Sequence, residues 1–108
     1  MDIQSLYDRG INRFNSGDYT GAIEDFKQII QIDAKLGHEL NSIITTILLE
    51  ETKLFFEQND YSGAIKNLNQ AINLEPNNSF FYCFRGASLH LQGDYYGAIE
   101  NLNQAINL

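Results

Sequence analysis

The chain contains the stretch YSGAIKNLNQAINL at residues 61–74 and repeats it as YYGAIENLNQAINL at residues 95–108. The two copies differ at two of fourteen positions and begin 34 residues apart. A more divergent copy, GDYTGAIEDFKQIIQI, occupies residues 17–32. A 34-residue period is typical of a helix–turn–helix unit that buries its apolar face only by stacking on further copies. The sequence therefore predicts a repeat protein whose function depends on its surfaces.

Apolar spacing predicts that these units are helical. Ile99, Leu102 and Ile106 follow one another at intervals of three and four residues, which places them on one face of a helix. Glycine or asparagine followed by aspartate, at residues 17–18, 59–60 and 93–94, predicts a turn and then a helix N-cap. We expect helices over residues 3–16, 19–35, 38–58, 61–74, 79–92 and 95–108. The stretch 43–49 is rich in β-branched residues and leaves a strand as the alternative there, although a strand would interrupt the helical array.

Small and apolar residues recur in register across three units. The first unit has Leu6-x2-Arg9-Gly10 and Ala22-x3-Phe26, and the third has Tyr82-x2-Arg85-Gly86 and Ala98-x3-Leu102. The middle unit has Leu48, Thr52 and Phe55, followed by Ala64-x3-Leu68 and Pro76. This pattern resembles the tetratricopeptide repeat family, with Thr52 in place of the small glycine.

The resemblance implies a single all-α domain over residues 1–108. Its fold would be a right-handed α-solenoid of three tetratricopeptide-like helix–turn–helix repeats with about six antiparallel helices. The repeats would span residues 3–36, 37–78 and 79–108. Ala22 and Ala64 are 42 residues apart, so the second repeat is offset by an eight-residue insertion.

The insertion belongs at a helix end, because eight residues inside a continuous helix would rotate its face by about 80°. Either the second helix continues to a stop near Gly37, or the third helix starts early near His38. An apolar stripe would follow the extension at Leu36, Leu40, Ile43, Ile44 and Ile47. This stripe either packs inside the protein or forms a lip for a partner.

In this family the first helix of each repeat lines a concave surface where peptide ligands lie, and the resemblance implies the same here. By register, that surface carries Tyr7, Ile11, Phe14, Leu49, Lys53, Phe56, Phe80, Cys83, Ala87 and His90. The family's carboxylate clamp of basic and amide side chains would fall at Tyr7, Ile11, Glu50, Phe80 and Phe84, and none of these fits. An apolar groove better suits an amphipathic helix or a hydrophobic extended segment. Burial of some of these rings against neighbouring repeats is the alternative.

The last helix predicts a second interaction surface. Ile99, Leu102 and Ile106 belong to a face that a following helix would cover. Either the chain is part of a longer array, or this end forms a homodimer.

Charge and composition exclude several classes of function. A net charge of −7, with only seven scattered Lys and Arg, argues against nucleic acid or an anionic membrane as partner. Residues 1–60 carry eleven acidic and five basic side chains, which mildly favours a basic partner segment; a merely solubilising acidic surface is the alternative. No run of eighteen apolar residues and no N-terminal signal is present, and the single Cys83 fits a reducing compartment, so we expect a cytoplasmic protein.

No pattern indicates an enzyme, a cofactor or a metal site. His38 and His90 are too few to hold a metal ion without cysteine ligands. The predicted function is that of an adaptor, a protein–protein interaction module that binds a partner peptide or amphipathic helix. The alternatives are a chaperone-like holder of client segments and a scaffold that self-associates through its last helix.

Overall fold

The computed structural model describes the whole chain, residues 1–108, and its regular elements are all helical. The six α-helices are α1 Ile3–Asn15, α2 Tyr19–Ile32, α3 Gly37–Glu57, α4 Tyr61–Leu74, α5 Ser79–Leu91 and α6 Tyr95–Ile106. The all-α prediction is confirmed, and the helix ends differ from the predicted ones by at most three residues. None of these helices combines the length and the apolar character needed to cross a membrane.

The turns that precede α2, α4 and α6 share one design. Asp18, Asp60 and Asp94 each accept a hydrogen bond from the amide three residues later, at 3.0, 2.9 and 2.9 Å. Such N-caps satisfy amides that have no partner within the helix. The residue before each aspartate is left-handed, with φ of 87° at Gly17 and Gly93 and 58° at Asn59.

The insertion lengthens α3. This helix has 21 residues, whereas α1 and α5 have 13 each, so the difference equals the eight extra residues. Of the two alternatives, the early start of the third helix near His38 is confirmed, since α3 begins at Gly37. The continuation of the second helix to Gly37 is wrong, because α2 ends at Ile32 and a 3-10 turn follows at Ala34–Leu36. There the Asp33 carboxylate accepts from the amide of Lys35 at 3.1 Å.

The apolar stripe of the insertion lies mostly in the protein interior. The strand alternative for residues 43–49 is wrong, because these residues belong to α3. Leu40, Ile44 and Ile47 are buried, and Leu36 and Ile43 are half-buried. The stripe therefore offers little surface for a partner.

The chain forms two compact units, Met1–Ile47 and Leu48–Leu108. In the first unit α1 packs against α2. In the second unit α4 packs against α5, and α5 packs against α6. The largest fully buried apolar side chains are Leu6, Phe26, Ile29, Ile44 and Ile47 in the first unit, and Leu48 and Leu68 in the second.

Small residues allow close packing between the two helices of a repeat. A Cβ atom on Gly10 would lie 2.9 Å from Cζ of Phe26, and one on Gly86 would lie 3.2 Å from the carbonyl oxygen of Ala98. The middle repeat has Thr52 at this position, fully buried, with its hydroxyl donating to the carbonyl of Leu48 at 2.7 Å. The threonine is tolerated because its own helix satisfies the hydroxyl.

A polar pair, sixteen residues apart in sequence, also links the two helices of each repeat. In the first repeat the fully buried Asp25 carboxylate accepts from Arg9 Nη2 at 2.7 Å. In the second, Asn67 Nδ2 donates to Glu51 at 2.7 Å, and in the third Arg85 Nε donates to Asn101 at 2.6 Å. All three repeats thus contain a polar bridge, while its charge changes from one to the next.

Candidate functional site: two apolar grooves on the second unit

The first groove lies between the C-terminal part of α3 and the helix α5, and we call it the α3/α5 groove. It encloses about 420 Å³ and is lined by Lys53, Phe56, Phe80, Cys83, Phe84 and Ala87. Five of these are predicted concave residues of the second and third repeats, namely Lys53, Phe56, Phe80, Cys83 and Ala87. Register along the first helices therefore brings the expected side chains to one surface.

An aromatic cluster forms the floor of this groove. The ring of Phe84 contacts Phe56 at a centroid distance of 4.9 Å and Phe80 at 5.3 Å, both edge to face. Phe56 also contacts Tyr61 at 5.6 Å. Phe80 remains 50% exposed, so the cluster is accessible to solvent at this ring. Rigid, partly exposed rings are efficient anchors because little side-chain entropy is lost when they bind.

The groove carries little charge. Lys53 is its one charged side chain, and its ammonium group lies 3.2 Å from the Glu50 carboxylate. This ion pair is half exposed, so it contributes little to stability. The surface can bind apolar side chains but has no cluster of cations to hold an anionic ligand.

A second and larger groove lies between α5 and α6, and we call it the α5/α6 groove. It encloses about 570 Å³ and is lined by Cys83, Gly86, Ala87, His90, Leu91, Tyr95, Ala98, Ile99 and Leu102. Cys83 and Ala87 line both grooves. The predicted concave residue His90 and the predicted self-association residues Ile99 and Leu102 therefore share one surface.

The apolar face of α6 is exposed, although the same face of α4 is buried. Leu102 is 44% exposed and Ile106 is 80% exposed, whereas their counterparts Leu68 and Ile72 are 1% and 9% exposed. Since α4 and α6 are nearly identical in sequence, the difference in exposure arises from packing, because α5 packs against α4. Ile106 is exposed as predicted but does not line the groove.

The remaining predicted concave residues lie elsewhere. In the first unit Tyr7 is 39% exposed, with its ring edge-on to Phe26 at 5.7 Å. Phe14 is half-buried and contacts Tyr19 at 5.6 Å, and Ile11 is also half-buried. Leu49, on α3, is half-buried and lines neither groove.

Shifted ionisation occurs in the first unit, where it has a structural cause. The hydrogen bonds from Arg9 to Asp25 raise the pKa of the guanidinium above its ordinary value. Near the chain start, the amide of Ser5 lowers the pKa of the capping Asp2 carboxyl. The first interaction joins α1 to α2, and the second caps α1.

Sequence reasoning considered Phe84 only as a position of the rejected carboxylate clamp, and it did not assign Leu91 and Tyr95 to a groove. The position of Phe84, four residues after Phe80 on the same helix, was a signal that both rings share a face. Leu91 and Tyr95 lie on either side of the turn between α5 and α6. Their contribution depends on how the two helices pack, which spacing along one helix does not specify.

Two family models match the chain. The model described as tetratricopeptide repeat matches residues 3–36, and the model described as TPR repeat matches residues 53–93. No curated protein sequence matches it.

Solved structures of similar fold cover nearly the whole chain. The second TPR of Spaghetti (RPAP3), bound to the HSP90 peptide SRMEEVD, is 24% identical, with a TM-score of 0.51 over 98% of this chain and 91% of that one. The crystal structure of MamA is 14% identical, with a TM-score of 0.54 over 98% of this chain. This chain spans 57% of the MamA chain. At these identities the likeness concerns the fold.

Proposed function

Because the chain belongs to the tetratricopeptide repeat family, we propose that it is a protein–protein interaction module that binds a partner segment in the α3/α5 groove. The observation that carries this proposal is the Phe56, Phe80 and Phe84 cluster, which is ordered by mutual contacts and open to solvent at Phe80. The ligand is a hydrophobic extended segment or an amphipathic helix, since both present apolar side chains at short intervals.

The groove's charge distinguishes this ligand from the peptide bound by the RPAP3 domain. That peptide, SRMEEVD, has three acidic side chains. Here the lining contains Lys53 alone as a charged group, and the chain as a whole carries −7. We therefore expect an apolar or basic segment, because an acidic one would lose solvation and meet only Lys53, which is already paired with Glu50, on a protein of negative net charge.

We also infer that the module works without catalysis, in the cytoplasm, on protein partners and not on nucleic acid or membrane. The acidic net charge and the scattered cations support this choice of partner. One exposed and unpaired cysteine supports a reducing compartment. A chaperone-like holder would instead bind many amphipathic segments weakly.

A display selection of random peptides against the native chain tests the proposal. We expect a shared apolar motif, and we expect Phe80→Glu to weaken the selected peptides at least about tenfold, since a charge would then occupy the open side of the cluster. Ile32→Glu is the matched control, because Ile32 is 56% exposed on α2 and lines neither groove. Circular dichroism establishes that each variant remains helical.

Equal binding of the selected peptides by the native chain and by Phe80→Glu would refute the α3/α5 groove as the site. Selection of many unrelated amphipathic peptides, all weak, would favour the chaperone-like role.

A further inference from the structure

The helix α5 packs against a surface formed by α3 and α4 within the second unit, and we call this surface the seat of α5. Gln92 Nε2 donates to Ser62 Oγ at 2.9 Å, and Arg85 Nη1 donates to Asn69 Oδ1 at 3.0 Å. The pairing runs in opposite directions along the two helices, so α5 lies antiparallel to α4. Phe84 adds the contact with Phe56 of α3.

The α5/α6 groove is the counterpart of that seat, displaced by one repeat. Moving 34 residues along the chain carries Ile65, Leu68 and Asn69 onto Ile99, Leu102 and Asn103, with no change of residue type. The ring pair of Phe56 and Tyr61, at 5.6 Å, likewise becomes His90 and Tyr95, at 5.3 Å. The surface that receives α5 is therefore present twice, and its second copy is exposed.

We propose that the α5/α6 groove binds an amphipathic α-helix of a partner protein that presents the side chains of α5 in the same register. In α5, Phe84 and Arg85 make these contacts, and the buried Phe81 lies three and four residues before them on the same helix face. The partner therefore carries the pattern aromatic-x-x-aromatic-Arg. The arginine donates to Asn103, as Arg85 does to Asn69. This surface is distinct from the α3/α5 groove of the proposed function, apart from the shared Cys83 and Ala87.

One difference between the two seats gives the partner a further feature. Ser62, which accepts from Gln92, is replaced on α6 by Tyr96, and this ring is 87% exposed. The partner therefore carries an apolar residue where α5 has Gln92, seven positions after its arginine. A ring covered by an apolar side chain gains buried area, whereas an amide there would lose its serine acceptor.

A second copy of this chain does not present the required helix. Its α5 is already packed, with Phe81 only 4% exposed. On α1 the positions equivalent to Phe81 and Phe84 are Ser5 and Asp8, both exposed and polar. An apolar seat has little affinity for such a face. Neither α5 nor α1 of a second copy therefore supplies this face, and the occupant we assign to the groove is a helix of a partner protein.

A synthetic copy of α5 is the direct probe. The peptide spans residues 78–92 with Cys83→Ser and capped ends, and it is titrated into the isotopically labelled full chain while amide shifts are followed by NMR. We expect saturable shifts concentrated on α6, with a Kd at or below about 1 mM, because a short helix is only partly formed when free. We expect a peptide with Gln92→Leu to bind more tightly.

The controls separate this seat from the proposed function. A peptide with Phe81→Ser and Phe84→Asp, the residues of α1, should not bind. Ile99→Glu/Ile106→Glu in the chain should weaken the α5 peptide at least about tenfold, whereas Phe80→Glu should leave its affinity unchanged. Ile99 and Ile106 are 56% and 80% exposed, so these substitutions leave the core intact.

Absence of saturable shifts at about 1 mM peptide, or equal binding by the Ile99→Glu/Ile106→Glu chain, would overturn the proposal. So would sedimentation showing that the native chain forms a dimer that this double variant dissociates, since the seat would then serve a second copy. None of these results depends on peptides selected for the α3/α5 groove.

Discussion

At the scale of single residues, the polar bridge within each repeat sets up a direct comparison. Asp25 is fully buried and accepts from Arg9 and Arg13, at 2.7 and 3.0 Å. Asp25→Ala removes these charge-assisted bonds, and we expect the free energy of unfolding to fall by about 2 kcal/mol. The arginines are about one-third exposed and regain water, which keeps the loss below that of a fully buried pair. Urea denaturation measures this difference.

Asp25→Asn is the matched variant, because the other repeats use Asn67 and Asn101 at this position. Asn101 accepts from Arg85 and donates to the carbonyl of Gly97. The carbonyl of Gly21 is the equivalent acceptor in the first repeat, so Asp25→Asn should lose less stability than Asp25→Ala. Equal losses in the two variants would mean that the negative charge itself, and not the bridge, is essential, and a larger loss for Asp25→Asn would mean that its buried amide is left without a partner.

A second residue-scale prediction concerns the left-handed turns. Gly93 has φ of 87°, and a Cβ atom there would meet nothing within 4 Å, so any penalty for a side chain arises from the backbone. Gly93→Ala should lower the free energy of unfolding by about 1–2 kcal/mol, and Gly93→Asn by less, since Asn59 adopts the same conformation in the middle repeat. Thermal and urea unfolding of both variants check the order. Equal losses would show that the turn has no preference for asparagine.

Local chemistry explains why these turns could be predicted and the polar bridges could not. An N-cap or a left-handed residue depends on its immediate neighbours, so Gly93-Asp94 indicates it in the sequence. The Arg9–Asp25 bridge joins two helices, and its existence depends on how far they are rotated towards each other. Neither residue is unusual by itself on an amphipathic helix.

At the scale of helices, α4 and α6 allow an internal comparison, since the segments 61–74 and 95–108 are identical at twelve of fourteen positions. Intrinsic helix propensity is therefore nearly equal, and the difference lies in packing: Leu68 is buried and Leu102 is exposed. We expect amide hydrogens of α6 to exchange with solvent faster than those of α4. Hydrogen exchange followed by mass spectrometry measures both in one sample. Equal protection would indicate that α6 is covered in solution.

Helix positions were predictable because the 34-residue period repeats both the apolar spacing and the caps. The sequence did not show which helix contains the eight extra residues, since Gly37 could end the second helix or begin the third. The structure ends α2 at Ile32 and gives the residues to α3. Asp33, which caps the intervening 3-10 turn, is the local feature that decides this.

At the scale of the whole molecule, the division into two compact units predicts local opening. Repeat arrays are stabilised mainly by contacts between neighbours, so a lesion in one unit need not open the other. We expect Asp25→Ala to speed hydrogen exchange in α1 and α2 while α5 and α6 change little. Gly93→Ala should speed hydrogen exchange in α5 and α6 while α1 and α2 change little. Uniform acceleration along the chain in both variants would instead indicate a single cooperative unit.

The grooves were only partly predictable at this scale. Register along α3 and α5 identified Phe56, Phe80 and Cys83 as neighbours. The sequence also suggested a separate surface at Ile99 and Leu102, and the structure joins it to His90 in the α5/α6 groove. Whether two helix faces merge depends on the packing of α5 against α6, which neither helix encodes alone.

The position of Cys83 allows its thiol to report whether a ligand occupies either groove. It is the single cysteine of the chain, it is exposed, and it lines both grooves. A ligand in either groove should shield its thiol, so the rate of alkylation by a small reagent measures binding on unlabelled, unmutated protein. If the alkylation rate is also measured in the Phe80→Glu and Ile99→Glu variants, the comparison would show in which groove an unknown ligand lies.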